Sequence, residues 1–142
     1  KTSIAAVLLS LACIVAAEAG EPLLGADEAY RMAAAGEITL IDIRSPQEWR
    51  QSGLPEGALA ITMHNPQGPR AFYAAVLAAV GNDKSKPIAV MCARGNRSNW
   101  AQGFLRTAGF TKVLDMSEGM FGRGSKPGWL RRGLPVKRCQ SC

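Results

Sequence analysis

With a single histidine, His64, the 142-residue chain offers no obvious nucleophile–histidine–acid triad, and its four cysteines are too sparse for a disulfide scaffold. Internal repeats and low-complexity segments are missing, and the length allows one domain rather than a tandem. The longest apolar run, Ile4 to Ala17, has 14 residues, short of the roughly 20 needed to cross a bilayer, so no permanent membrane span is expected. Acids are also few: 11 Asp and Glu face 17 Lys and Arg, and the net charge of +6 means that anionic partners must be weighed. What is present, 47% hydrophobic and 20% charged residues with 15 Gly and 8 Pro, is the composition of a globular protein with a buried core.

Lys1, the apolar run and the small-residue triplet Ala17-Glu18-Ala19 follow the order of a secretory signal peptide. Cleavage is expected after Ala19, which makes residues 1–19 a leader and residues 20–142 a domain with a C-terminal C-x-x-C tail. A lipid-modified Cys13 is the alternative, but Ser10-Leu11-Ala12 is a poor run-up to such a site, and Cys13 is read as lost with the leader. The charge stays at +6, because Lys1 and Glu18 leave together. An exported, periplasmic location follows, in an oxidising compartment where thiols tend to pair. Of Cys92, Cys139 and Cys142, the last two form C-x-x-C, so Cys92 is the expected odd thiol.

Strand-like runs alternate with helical patterns along the rest of the chain, which predicts an α/β fold: a parallel sheet covered by helices on both faces. Asp27 to Ala35 reads as a helix stopped by Gly36, and Ile38 to Ile43 as a buried strand that leaves Asp42 at its end. Ser45-Pro46-Gln47-Glu48 is a helix start, with Ser as N-cap, Pro at the first helical position and Glu closing a capping box; Gly53 ends that helix. Ala58 to Ile61 is a weaker strand, and Arg70 to Val80 a helix with Phe72, Val76 and Val80 on one face. Pro87 to Met91 is the central strand, and Ser98 to Thr107 a helix with Trp100, Phe104 and Ala108 in register.

Between these last two elements lies Cys92-Ala93-Arg94-Gly95-Asn96-Arg97. A thiol at the end of a central strand, followed by a short Gly-containing loop that opens a helix, stands where such a sheet presents its binding crevice. Backbone N–H groups of the loop can converge into a nest, and the helix N-terminus adds positive partial charge. A Cys92 thiolate is stabilised by that field, so a lowered pKa and a reactive nucleophile are expected. Gly95 supplies the positive φ that lets the loop curl around its own sulfur. Arg94 and Arg97 add charge for an anionic substrate, and Ser98 a hydroxyl hydrogen bond. The bland alternative makes Cys92 a small buried hydrophobe at a strand end.

The loop CARGNRS, the strand ending LIDIR, the SPQEW helix start, GLPEGALAI and the closing GWLRRGLPV together resemble the rhodanese-like domain, a sulfurtransferase fold, over about Gly25 to Val136. The resemblance implies that Cys92 carries a persulfide cradled by the amides of Ala93, Arg94, Gly95, Asn96, Arg97 and Ser98, and that neither cofactor nor metal is needed. It also implies that the Cys92 thiolate takes the outer sulfur of thiosulfate or a related anionic donor, releasing sulfite, and hands it to a thiol or protein acceptor. Where the family often has Gly-His-Ile-Pro-Gly-Ala, this chain has Gly53-Leu54-Pro55-Glu56-Gly57-Ala58; that histidine is not catalytic. Arg97 falls at C-x-x-x-x-R, one residue shorter than the C-x-x-x-x-x-R of Cys-dependent phosphatases, and position 98 is Ser; the resemblance thus implies a sulfur-sized pocket.

Asp42 and Arg44 form the family's D-x-R element and are read as supporting residues, pairing with their surroundings and with Glu48. His64, in a Pro-containing connection, reads as a solvated loop residue. Cys139 and Cys142 fit a small disulfide, a resolving dithiol or a metal site, the last incomplete without a second ligand pair. Six basic residues and no acid follow Glu118; with only Trp129 to stack on bases, they read as a solvated face rather than a nucleic-acid tail. Two rival functions stay open: a thiol–disulfide redox protein joining Cys92 to Cys139 and Cys142, and a non-catalytic sulfur-carrier or binding module.

Overall fold

The computed structural model describes residues 23–142; the leader read in residues 1–19 lies outside them. Eleven elements follow in order: α1 (Ala26–Ala34), β1 (Thr39–Asp42), α2 (Pro46–Ser52), β2 (Leu54–Pro55), β3 (Ala58–Ala60), α3 (Pro69–Ala79), β4 (Ile88–Met91), α4 (Asn96–Thr107), β5 (Val113–Asp115), α5 (Gly128–Arg131) and β6 (Val136–Lys137). Four strands form a parallel sheet in the order β3-β1-β4-β5, and β2 pairs with β6 antiparallel. The second pairing was not anticipated, because two-residue strands carry no periodicity.

Alternation along the strands sorts the core into two layers. Leu40, Ala89 and Met91 join Ala26, Ala29, Trp49 and Trp129 on the face covered by α1, α2 and α5. Ile41, Ile43, Ile88, Val90 and Cys92 join Phe72, Val76, Ala101 and Leu105 on the face covered by α3 and α4. Both faces are therefore covered, as the run of buried residues in β4 requires. The chain leaves β1 for β3 on one side and returns to β4 on the other, so the strand order reverses between β1 and β4. Open parallel sheets hold their ligands at such a reversal, beyond the carboxyl ends of the strands.

The capping box forms as expected: the Ser45 hydroxyl accepts from the Glu48 amide, and the Glu48 carboxylate accepts from the Ser45 amide. In α4 the expectation is corrected. The helix opens at Asn96, and its buried side carries Ser98, Ala101, Gln102 and Leu105, spaced at i, i+3, i+4 and i+7. Trp100 lies 50% exposed and stacks on Phe104 with ring centroids 5.1 Å apart. The face that meets the sheet is the one bearing Ser98, which has to reach the end of β4.

Asp42 and Arg44 are fully buried and pair with each other. Arg44 Nε donates to both Asp42 carboxylate oxygens at 3.0 Å, Nη2 to Asp42 Oδ2 at 2.7 Å and to the Gly53 carbonyl at 2.8 Å, and Nη1 to Ser52 Oγ at 2.7 Å. Glu48 is not among these partners, contrary to the expectation from sequence. Removing one member of a buried pair strands the other charge without a partner. Arg44→Ala is expected to destabilise the fold by about 3–5 kcal/mol in denaturant unfolding; a loss under about 1 kcal/mol would show that the pair does not hold α2 to the sheet.

Candidate active site

Cys92 stands one residue past β4, only 1% exposed, at the bottom of a loop that turns directly into α4. Gly95 adopts φ +88°, and a Cβ there would meet the Ser117 carbonyl oxygen at 2.0 Å, so conformation and space both demand glycine. Across the loop a Cβ on Gly119 would meet the Ala93 carbonyl oxygen at 2.5 Å. The segment after β5 thus lies against the loop backbone, and the Met120 and Phe121 amides donate to the Cys92 and Ala93 carbonyls at 2.9 and 3.0 Å. With its carbonyls tied on one side, the loop brings the Gly95 N–H onto Cys92 Sγ at 3.1 Å. The sulfur thus faces an amide donor beside the N-terminus of α4.

Cys92 Sγ also donates to Ser98 Oγ at 3.6 Å, in the first turn of α4. Behind Ser98 lies Asp115, buried at the end of β5. Burial pushes its carboxyl up, against hydrogen bonds from Ser98 and Asn99 and the nearby Arg123 charge, which lower it. Asp115 escaped the sequence reading, because only the parallel pairing of β4 with β5 brings it to the loop, and Arg123 was read only among the basic residues of a solvated face. The Arg123 guanidinium comes within 3.1 Å of the position a Gly95 Cβ would occupy.

The two loop arginines part company. Arg94 is exposed, whereas Arg97 is held by Glu48 through two bonds of 2.6 and 2.8 Å, with His64 Nε2 3.3 Å from Arg97 Nη1. Glu48, expected from sequence as a helix cap and as a partner of Asp42 and Arg44, instead fixes Arg97 in the candidate site besides capping α2. Its carboxyl is lowered to about 2, first by the Arg97 hydrogen bonds and against the opposing effect of burial, with Ser45 helping. His64 is exposed, as expected, but stands beside Arg97 rather than free in solvent. Asp42 and Arg44 lie at the end of β1, next to β4, as support.

Cys139 and Cys142 form a disulfide, and Cys92 is a free thiol. Cys139 packs in the core layer of α1 and α5, Cys92 in the layer of α3 and α4, so the sheet lies between them. The redox reading that joined all three therefore requires thiol exchange to reach across the sheet. No cluster of three or more potential metal ligands occurs among the described residues.

A family model described as "Rhodanese-like domain" matches residues 25–123. A relative from Allochromatium vinosum named a sulfurtransferase is 29% identical over 106 residues, covering 75% of this chain and 84% of its own. The polysulfide-sulfur transferase homodimer of Wolinella succinogenes superposes with a TM-score of 0.61 at 28% identity, covering 85% of this chain and 81% of that one. A rhodanese-like domain from Anabaena sp. shares the fold, with a TM-score of 0.63 at 23% identity over 84% of this chain and 80% of that one.

The lowered Glu48 carboxyl ties this geometry to pH. Between its ordinary value of 4.5 and about 2, the unfolded chain takes up a proton that the folded chain refuses, so stability is lost as pH falls through that window. Glu48→Gln is expected to remove this share of the acid-side decline while lowering stability at neutral pH. Urea unfolding of both proteins from neutral pH to pH ~2 measures it, and parallel curves would show that the Glu48–Arg97 pair carries no stability.

Proposed function

The chain belongs to the rhodanese-like domain family, and on that basis we propose that it is a sulfurtransferase that moves a sulfane sulfur through a persulfide on Cys92. The observation that carries this reading is the Gly95 N–H held 3.1 Å from Cys92 Sγ in a loop closed by Gly95 and Gly119. Such a loop suits a sulfur and its one-atom extension better than a phosphate. In the forward step the Cys92 thiolate attacks the outer sulfur of thiosulfate or a related donor. The donor S–S bond breaks, sulfite leaves with the bonding pair, and Cys92 holds the transferred sulfur as a persulfide. An acceptor thiolate then attacks that outer sulfur, and Cys92 departs as thiolate.

Loop amides aimed at the reacting sulfur stabilise negative charge on thiolate and persulfide alike. Arg94, exposed on the loop, is placed to meet sulfonate oxygens, while Arg97, paired with Glu48, shapes the loop. Ser98 holds the sulfur from below. Polysulfide is the alternative donor, suggested by the name of the Wolinella neighbour. We place the protein in the periplasm: the leader pattern in residues 1–19 supports export, and a Cys139–Cys142 disulfide suits an oxidising compartment.

Intact mass before and after thiosulfate tests the chemistry. The wild type is expected to gain one sulfur atom and Cys92→Ser none, with transfer to cyanide falling to background in that variant. Replacing both Cys139 and Cys142 by Ser is expected to leave transfer intact. A wild type that gains no sulfur from thiosulfate or polysulfide would overturn the reading.

A further inference from the structure

On the face of the sheet away from Cys92, a cleft of about 560 Å³ opens between the end of α2 and the tail beyond β6. Cys139 forms part of its wall, with Arg50, Ser52, Gly53, Lys137 and Arg138 around it and no acidic side chain among the described lining residues. The volume lies within the range of small-molecule sites. In the same basic half, Arg132 pairs with Glu118 and Asp27. At the cleft Lys137 and Arg138 stand exposed.

The disulfide is asymmetric in what solvent can reach. Cys139 is 8% exposed and packed into the core layer, whereas Cys142 is exposed, and Arg50 Nη1 donates to its carbonyl oxygen at 3.3 Å. One sulfur is thus presented for attack while the other is held in place to leave. Cations beside a disulfide gather anionic thiols and stabilise the thiolate that departs, two effects that act in the same direction.

We infer that this cleft is a second site, where a small thiol bearing carboxylates exchanges with the Cys139–Cys142 disulfide, independently of sulfur transfer at Cys92. The incoming thiolate attacks Cys142 Sγ, a mixed disulfide forms there, and Cys139 leaves as thiolate with the bonding pair. A second thiolate attacks the donor sulfur of the mixed disulfide and releases Cys142 as thiolate. The donor ends as its disulfide, and two electrons rest on the Cys139–Cys142 dithiol.

The test uses the full chain carrying Cys13→Ser and Cys92→Ser, so that only the tail pair reacts, with reduced glutathione as the anionic probe and 2-mercaptoethanol as the uncharged one. Alkylation and intact mass give the rate of reduction. With rates normalised to thiolate concentration, glutathione is expected to react about tenfold faster. That advantage should shrink at ~1 M salt and vanish in Lys137→Gln/Arg138→Gln, whose exposed substitutions leave the fold intact by circular dichroism. Oxidised glutathione should cap Cys142 quickly in a Cys139→Ser variant and cap Cys139 only slowly in Cys142→Ser. Equal rates for the two thiols, a salt-insensitive ratio, or faster capture of Cys139 would each overturn the inference. Sulfur uptake by the chain with Cys92 intact is read separately, so neither result decides the other.

Discussion

Arg44 holds the end of β1 and the end of α2 in one buried geometry, and most of what has been described follows from where its guanidinium points. Its bonds to Asp42 fix the end of β1, and those to Ser52 Oγ and the Gly53 carbonyl fix the end of α2. α2 in turn carries Glu48, which holds Arg97 beside the Cys92 loop. Gly53 leads into β2, whose pairing with β6 brings the tail and its disulfide to the same side. A buried charge pair is costly to desolvate, and here the guanidinium and carboxylate are compensated by hydrogen bonds to each other, to Ser52 and to the Gly53 carbonyl.

The Cys92 loop shows the same economy in backbone terms. Two close approaches, of Gly95 to Ser117 and of Gly119 to Ala93, exclude side chains and press the segment after β5 against the loop. The carbonyls are then taken up by Met120 and Phe121, and the Gly95 amide turns inward to the sulfur. The sulfur is thereby held by hydrogen-bond direction: the Gly95 amide donates to it, and it donates to the Ser98 hydroxyl. Glu118 closes the other side, accepting from the Ala26 and Gly128 amides and from Arg132, so that α1 and α5 hold the segment that backs the loop.

Much of this was legible in the sequence because it depends on short range. The strand ending at Asp42, the Ser45–Glu48 capping box, the helix face of Phe72, Val76 and Val80, and the glycine in the Cys92 loop all follow from spacing over a few residues. Those are the distances at which periodicity, capping and φ preferences act. Cys92 at the end of the central strand, with arginines after it, was enough to mark the site.

The remainder needed partners far apart in the chain. Glu48 meets Arg97 across 49 residues, Asp115 reaches Ser98 only through parallel pairing of β4 with β5, and Arg97 consequently turns to Glu48 where Arg94 stays open. Which face of α4 is buried was likewise settled by the sheet beneath it, leaving Trp100 outside. The sequence alone determined the α/β class and the placing of Cys92 at the end of the central strand with a glycine loop after it, since local backbone preference and the order of elements suffice for those. Tertiary structure alone decided which charges are answered, which sulfurs share a layer and which disulfide sulfur faces water, because charge pairing and burial depend on through-space neighbours that no local spacing encodes.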